Sequence, residues 1–232
     1  MEGDIPPAEI DSEDDINEDD IVEIIELDDN DAILDEVEHT GLDQDGEEEE
    51  NDMEGAEGQI VKDESDLVFD KHTGSVFCVS IDPKSCDLVL TGGQDDTAFV
   101  WKISTGEIIF ECTGHNDSVT CAEFSYDGVY VATSDLSGLF KVWKVETKQE
   151  VWSFECLNIE WLKWHPSAHV LLAGTVDGDV WMWKIPGGDC RTFQGPLNTT
   201  SCGKILPDGK RVSVGYDSGV VKIWDLKAGS IL

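Results

Sequence analysis

Seven cysteines and five histidines are the side chains of this 232-residue protein best suited to metal or nucleophilic chemistry. Cys78, Cys121 and Cys202 recur at matching places, so a metal or redox cluster is one reading. Their separations of 43 and 81 residues, with no Cys-x-x-Cys pair and no His or Cys partner nearby, do not fit a zinc site. Small buried hydrophobes fit better. Gly-x-Ser-x-Gly elbows, His-Glu-x-x-His pairs and glycine-rich phosphate loops are lacking, and no histidine stands by a candidate nucleophile. DQDGEEEEND, near residue 43, has the acids of a calcium loop, but Gly46 falls at the fourth position where the sixth is needed. Ser12, in DSEDD, sits in an acid-directed kinase context, where phosphate would deepen an existing charge. The expectation is a non-enzymatic protein with no cofactor, no metal and no small-molecule substrate.

Charge divides the chain. Residues 1–70 hold 31 of the 51 acidic residues and one of the 15 basic ones, a net of −30, which leaves −6 for the rest. A stretch such as EEEENDMEGAEG cannot bury enough apolar surface to offset its ordering entropy and self-repulsion, so residues 1–64 are expected to be a disordered acidic tail. Such a tail either solubilises the protein or attracts a basic partner over a salt-dependent range. Like-charge repulsion speaks against direct nucleic-acid binding. Within the tail, IVEIIELDD (21–29) sets Ile24 and Ile25 among acids, the make-up of a short docking element or of a chance apolar patch.

No basic region followed by an apolar run opens the chain, and no window of ~18 apolar residues suits a membrane span. With an odd number of cysteines, this predicts a reducing, cytoplasmic setting, with nuclear or membrane-associated populations reached through partners. The sequons at Asn116 and Asn198 are then chance matches.

The remaining residues repeat. Four similar apolar strands, TAFVWKI, LFKVWKV, DVWMWKI and VVKIWDL, carry Trp101, Trp143, Trp183 and Trp224 at spacings of 42, 40 and 41. Between them run short stretches of β-branched and aromatic residues separated by Gly, Asp and Ser turns, as in GHNDSVTCAEFSYDG followed by VYVATSDLSGLFKVW. That alternation predicts one four-stranded antiparallel sheet per repeat.

Gly114-His115 at the start of a unit, a Thr on the second strand, an Asp in the tight turn and Trp-Asp closing the third strand resemble the WD40 repeat, whose sheets are the blades of a β-propeller. The resemblance implies an all-β fold with a tail at 1–64 and repeats over 65–232: blade 1 near 71–113, blade 2 near 114–154, blade 3 near 155–194 and an incomplete blade 4 near 195–232. It also implies a structural tetrad of hydrogen-bonded side chains in each blade. Blade 1 supplies His72, Thr91, Asp95 and Trp101. Blade 2 supplies His115, Thr133 and Trp143, with Ser137 where the Asp is expected. Blade 3 keeps Asp177 and Trp183 but has Ala173 and no His, and blade 4 keeps only Trp224. Blades 3 and 4 are therefore expected to lean on apolar packing.

SVFCVSIDPK, DSVTCAEFS, VWSFE, LLAGTVDG, WMWKIPGGDC, TFQGP and LPDGKRVSVGY, with the acidic tail, further resemble one animal branch of this family, most tightly from Ser75 to Leu226. That likeness implies a protein-binding scaffold in cell migration and angiogenesis-type signalling. Fungal relatives imply a chaperone for a basic ribosomal protein in large-subunit assembly, and a tail-mediated binder of other basic proteins such as histones is a more distant option. Partner contacts are expected on loops near Asn116, Asp117, Ser137 and Asp217, and at Ile24 and Ile25 of the tail. Because such propellers usually close with about seven blades, the chain is expected to be a fragment, a truncated isoform or an incomplete gene product forming an open arc. DLVFD (66–70) is expected to be a closing strand whose mate lies beyond residue 232.

Overall fold

The computed structural model describes residues 65–155 and 159–232. The tail with Ile24 and Ile25, the calcium-like loop and Ser12 lie outside the described residues. Fifteen strands form four antiparallel meanders, and among the described residues there is no helix. The first sheet holds β1 (Val76–Ile81), β2 (Leu88–Gly93), β3 (Ala98–Lys102) and β4 (Ile108–Cys112). The second holds β5 (Val119–Phe124), β6 (Tyr130–Asp135), β7 (Leu139–Lys144) and β8 (Gln149–Glu155). The third holds β9 (Ile159–Trp164), β10 (Val170–Thr175), β11 (Val180–Lys184) and β12 (Cys190–Phe193). The fourth holds β13 (Thr200–Ile205), β14 (Arg211–Tyr216) and β15 (Val221–Asp225), with Ile231 bridging back to Trp224.

The register repeats residue for residue. Thr91, Thr133, Ala173 and Val214 sit opposite Val79, Ala122, Leu162 and Gly203 on the first strands of their sheets. Each first strand also carries an irregularity just before Cys78, Cys121, Trp161 or Cys202. One extra residue there bends and twists the strand.

Alternation along the strands gives each blade two apolar faces, and consecutive blades share a core. The trailing face of blade 1, with Leu90 and Val100, packs on Val119, Ala122 and Phe124 of blade 2. Phe140 and Val142 pack on Leu162 and Trp164 of blade 3, and Leu172 and Met182 pack on Ile205 and Trp224 of blade 4. Each core lies between sheets, so no blade carries a complete core of its own.

Two kinds of turn recur. After each second strand, the fifth residue past the Thr91 position has positive φ: Asp96 (56°), Gly138 (89°), Gly178 (93°) and Gly219 (79°). After each third strand the same left-handed backbone appears at Gly106, Lys148, Gly188 and Gly229, whose N–H groups bond the carbonyl four residues back. Lys148 is the one residue of that second set with a Cβ, which crowds the left-handed conformation. Lys148→Gly is expected to raise stability by about 0.5–1 kcal/mol, read as a higher urea midpoint with an unchanged m-value.

Among the described residues DLVFD (66–70) enters no ladder. Phe69 instead stacks on Trp101, 4.4 Å between ring centres with planes 6° apart, and meets Phe99 edge-on. The segment lies over the leading face of blade 1, where β3 presents both rings.

Candidate functional site

In blade 1 four side chains form a chain of polar contacts. The Trp101 indole N–H donates to Thr91 Oγ1 (3.3 Å), which meets His72 Nε2 (2.9 Å). His72 Nδ1 faces Asp95 Oδ1 at 2.9 Å, and the Thr73 N–H donates to Asp95 Oδ2 at 2.8 Å. Donors and acceptors match along this chain when Nδ1 carries the imidazole proton. Burial disfavours the Asp95 anion, but the hydrogen bonds from His72 and Thr73 outweigh it and hold the carboxyl below its ordinary range.

Blade 2 reaches the same end differently. His115 Nε2 meets Thr133 Oγ1 at 2.8 Å, but Nδ1 meets Asp135 Oδ2 at 3.1 Å, two residues earlier in the turn than the sequence pattern places its acid. Ser137 is not a gap in the tetrad; its N–H and hydroxyl both donate to Asp135 Oδ1, at 2.9 and 2.6 Å. Asn116 and Leu139 add backbone N–H donors at 2.9 and 3.1 Å. The substitution is steric: the equivalent of Asp135 in blade 1 is Gly93, where a Cβ would lie 2.7 Å from His72 Nδ1 and 2.9 Å from Asp95 Oδ1. Either position can send a carboxylate to the imidazole, but not both. Trp143, unlike Trp101, has a buried indole nitrogen without a hydrogen-bond partner.

Blade 3 dispenses with the histidine. Thr175 donates its N–H and hydroxyl to the Asp179 carbonyl (3.0 and 3.2 Å), and the Asp179 carboxylate takes the Gly195 N–H at 2.9 Å. Asp179 thus ties turn to loop, whereas Asp177 stands exposed at the turn. Trp183 is buried with an unpartnered indole nitrogen, packed on Phe140 at 5.0 Å, and Trp224 of blade 4 packs on Phe193 at 6.0 Å.

The buried histidines make this framework acid-sensitive. Burial pushes the pKa of His115 down against the pull of Asp135, and that of His165 down against the Gly209 carbonyl it bonds at 2.7 Å. An unfolded imidazole, with a pKa of about 6.5, binds protons more readily than these folded ones. Their contribution is therefore complete above that pH and is lost as pH falls below it. His165→Gln, which keeps a donor for Gly209, is expected to flatten the stability profile between about pH 6.5 and 5, measured by urea titration at each pH.

Cys78 and Cys121 are not activated thiols. Burial raises the Cys78 pKa to about 12 and also raises Cys121. Cys78 Sγ points to the Val119 carbonyl of blade 2 and Cys121 Sγ to the Glu160 carbonyl of blade 3. Cys202 is exposed, contrary to the buried reading, because among the described residues no further sheet packs on that face of blade 4. Among the described residues no group of His, Cys, Asp or Glu is arranged to hold a metal ion.

The tetrads pin the tight turns and the loops before first strands onto one rim. Asn116, Asp117 and Asp217 are exposed there; Asn116 also anchors Asp135, and Asp117 accepts the Ser118 N–H at 2.7 Å. Missing from the sequence expectations are Leu136 and Val176, exposed at identical turn positions, and Leu197, 88% exposed. Leu197 adjoins Asn198, whose backbone oxygen would lie 2.5 Å from a Cβ on Gly178. Apolar residues at the tips of polar turns were the available signal.

Repeated antiparallel meanders of three or four strands, the first locked by His, Thr, Asp and Trp, define a WD40 propeller protein. A model of the WD domain, G-beta repeat family matches residues 64–102, 106–144 and 187–225, and the chain belongs to that family. It is 53% identical over 225 residues to the human (Homo sapiens) angio-associated migratory cell protein, across 92% of this chain and 52% of that one. It is also 34% identical over 161 residues to the ribosome assembly protein SQT1 of Saccharomyces cerevisiae, across 64% of this chain and 36% of that one. The crystal structure of S. cerevisiae Sqt1 superposes with a TM-score of 0.63 at 25% identity, covering 70% of this chain and 48% of that one. U3-55K superposes at 0.66 with 21% identity, covering 72% and 53%, and shares the fold. The chain spans about half the length of the human relative it matches.

Proposed function

We propose that this chain is a non-enzymatic scaffold that binds other proteins through its loop rim. One observation carries the reading: Leu136, Val176 and Leu197 are exposed on turns and loops that hydrogen bonds and close backbone contacts hold rigid, beside Asn116, Asp117 and Asp217. Exposed apolar side chains on a rigid frame supply binding energy without ordering cost. Similarity to the angio-associated migratory cell protein favours a role in cell migration and angiogenesis-type signalling.

A second reading is capture of a basic ribosomal protein, from the cytoplasm or nucleus, during large-subunit assembly. Two observations favour it: the similarity to ribosome assembly protein SQT1 and the net charge of −30 in residues 1–70. Affinity capture with mass spectrometry at low and high salt separates the two. A scaffold loses its partners when Leu136, Val176 and Leu197 are all changed to Asp, and an unchanged set of partners removes the rim from the reading. A chaperone retains a basic ribosomal protein at low salt and releases it as salt rises; failure to retain one at low salt ends the second reading.

A further inference from the structure

Consecutive blades meet in a crevice at the end of the sheets opposite the loop rim, where the turns after first and third strands lie. Three such crevices lie among the described residues, and two are filled by the chain's own side chains. Between blades 2 and 3, Tyr130 packs edge-on against His169, 4.8 Å between ring centres, and His169 Nε2 meets Asp127 Oδ2 at 2.9 Å. Ile185 is buried there. Between blades 3 and 4, Val170 and Leu226 are fully buried, and Arg191 donates to the Leu226 and Lys227 carbonyls at 3.2 and 2.7 Å.

The crevice between blades 1 and 2 stays open, although the contact between those two blades is complete within the chain. Leu88 stands where the next crevices have Tyr130 and Val170, and Val145 where they have Ile185 and Leu226. Both are only half-buried, and with Val129 they line a groove of about 560 Å³. Lys102 and Lys144 line it too. Their partners, Glu107 at 3.9 Å and Glu146 at 3.3 Å, form exposed pairs that exchange at little cost. Of the other acids in the groove, Asp82 is buried and saturated by the Lys84 and Ser85 N–H groups and the Ser85 hydroxyl, and Asp87 accepts the Ser104 N–H at 3.1 Å.

We infer that Ile21, Val22, Ile24 and Ile25 of this chain's own tail fill the groove, with Asp19, Asp20 and Glu23 toward Lys102 and Lys144. The segment is selected by its chemistry: it is the densest apolar run in residues 1–64, and it is set among acids. The rim at the other end of the sheets exposes Asp117, Asp177 and Asp217, which repel such a segment. The chain also enters beside the groove. A Cβ on Gly106 would lie 3.4 Å from Leu67 Cδ1, and Gly106 closes the β3–β4 turn by donating its N–H to the Lys102 carbonyl at 2.8 Å. Residues 26–64 tether the segment, and at about 3.3 Å per residue that length is ample to return to blade 1. A tethered contact needs little affinity of its own, because the local concentration is of order mM. Docking draws the acidic tail to the turn end of blades 1 and 2 and leaves the rim free for partners.

Photo-cross-linking of the 232-residue chain tests this. A benzophenone amino acid in place of Ile24 is expected to join residues around Leu88, Val129 or Val145 of the same chain, mapped by mass spectrometry on the band of single-chain mass. Val22→Asp with Ile25→Asp removes the apolar burial and is expected to lower that yield at least about tenfold. Lys102→Glu with Lys144→Glu is expected to lower it at least about threefold, and added salt lowers it in the unchanged chain. Both lysines are half-exposed, and circular dichroism checks that their variant keeps its sheets. Cross-links at the loop rim, links spread over all the blades, links that join two chains, or a yield indifferent to either pair of substitutions would overturn the docking.

Discussion

Gly203→Val is expected to destabilise the protein by about 2–4 kcal/mol through a clash with one ring. On the first strands, blades 1, 2 and 4 carry Cys78, Cys121 and Cys202, and blade 3 carries Trp161 at the same place. The indole is accommodated by glycines on both sides. A Cβ at Gly174 would lie 2.1 Å from Trp161 Nε1, and one at Gly203, on the next blade, 2.3 Å from Cη2 and Cζ2. Gly203 occupies the position of Val79, Ala122 and Leu162, so its lack of a side chain makes room for the tryptophan. Trp161→Cys alone is also expected to destabilise, by about 3–5 kcal/mol, because it leaves a cavity. The double variant restores the pairing of small with larger residue found between blades 2 and 3, where Cys121 packs with Leu162, and is expected to be more stable than the sum of the two single losses by at least about 1 kcal/mol. Strict additivity in a urea-denaturation cycle would show that the ring and the glycine are not coupled.

Asp135→Ala is expected to cost about 3–5 kcal/mol, more than Asp95→Ala. The Asp135 carboxylate is fully buried and accepts from His115, from the backbone of Asn116, Ser137 and Leu139, and from the Ser137 hydroxyl. Its loss orphans donors that water cannot reach. Asp95 keeps 11% of its side chain exposed and is served by His72 and the Thr73 N–H, so solvent can replace part of what is lost. Burial opposes the Asp135 anion, but the bonds from Ser137, Asn116, Leu139 and His115 hold its pKa below the ordinary range. Its contribution is therefore present above about pH 4 and lost as pH falls further. Thermal and urea melts of the two variants at neutral pH give the ranking, and an Asp95 variant equal to or weaker than the Asp135 variant would contradict it.

Much of the fold was legible because its determinants are local. Four tryptophans at a period near forty, with short alternating strands between glycine and acid turns, specify the meander before any contact is known. The blade 1 tetrad could be read in full because each of its members keeps its expected spacing. The blade 2 acid was misplaced because a hydrogen bond depends on where a carboxylate ends, not on which backbone position it leaves from. Gly93 with Asp95 and Asp135 with Ser137 bring an anion to the same imidazole nitrogen from different residues. Asp179 escaped notice for a related reason: its partner, Gly195, lies in a loop of another sequence context.

DLVFD read as a closing strand from the way propellers complete their last blade, and among the described residues Phe69 of that segment stacks on the Trp101 ring. By itself the sequence determined the repeat, the strand order, the turn positions and the charge division, all consequences of side-chain periodicity and backbone preference within a few residues. Only the tertiary structure decided which side chains meet: that Trp161 needs Gly203 and that Asp135 serves His115. Those outcomes depend on the volume and hydrogen-bonding geometry of residues 20 and 42 positions apart, and close packing within and between blades is what brings them into contact.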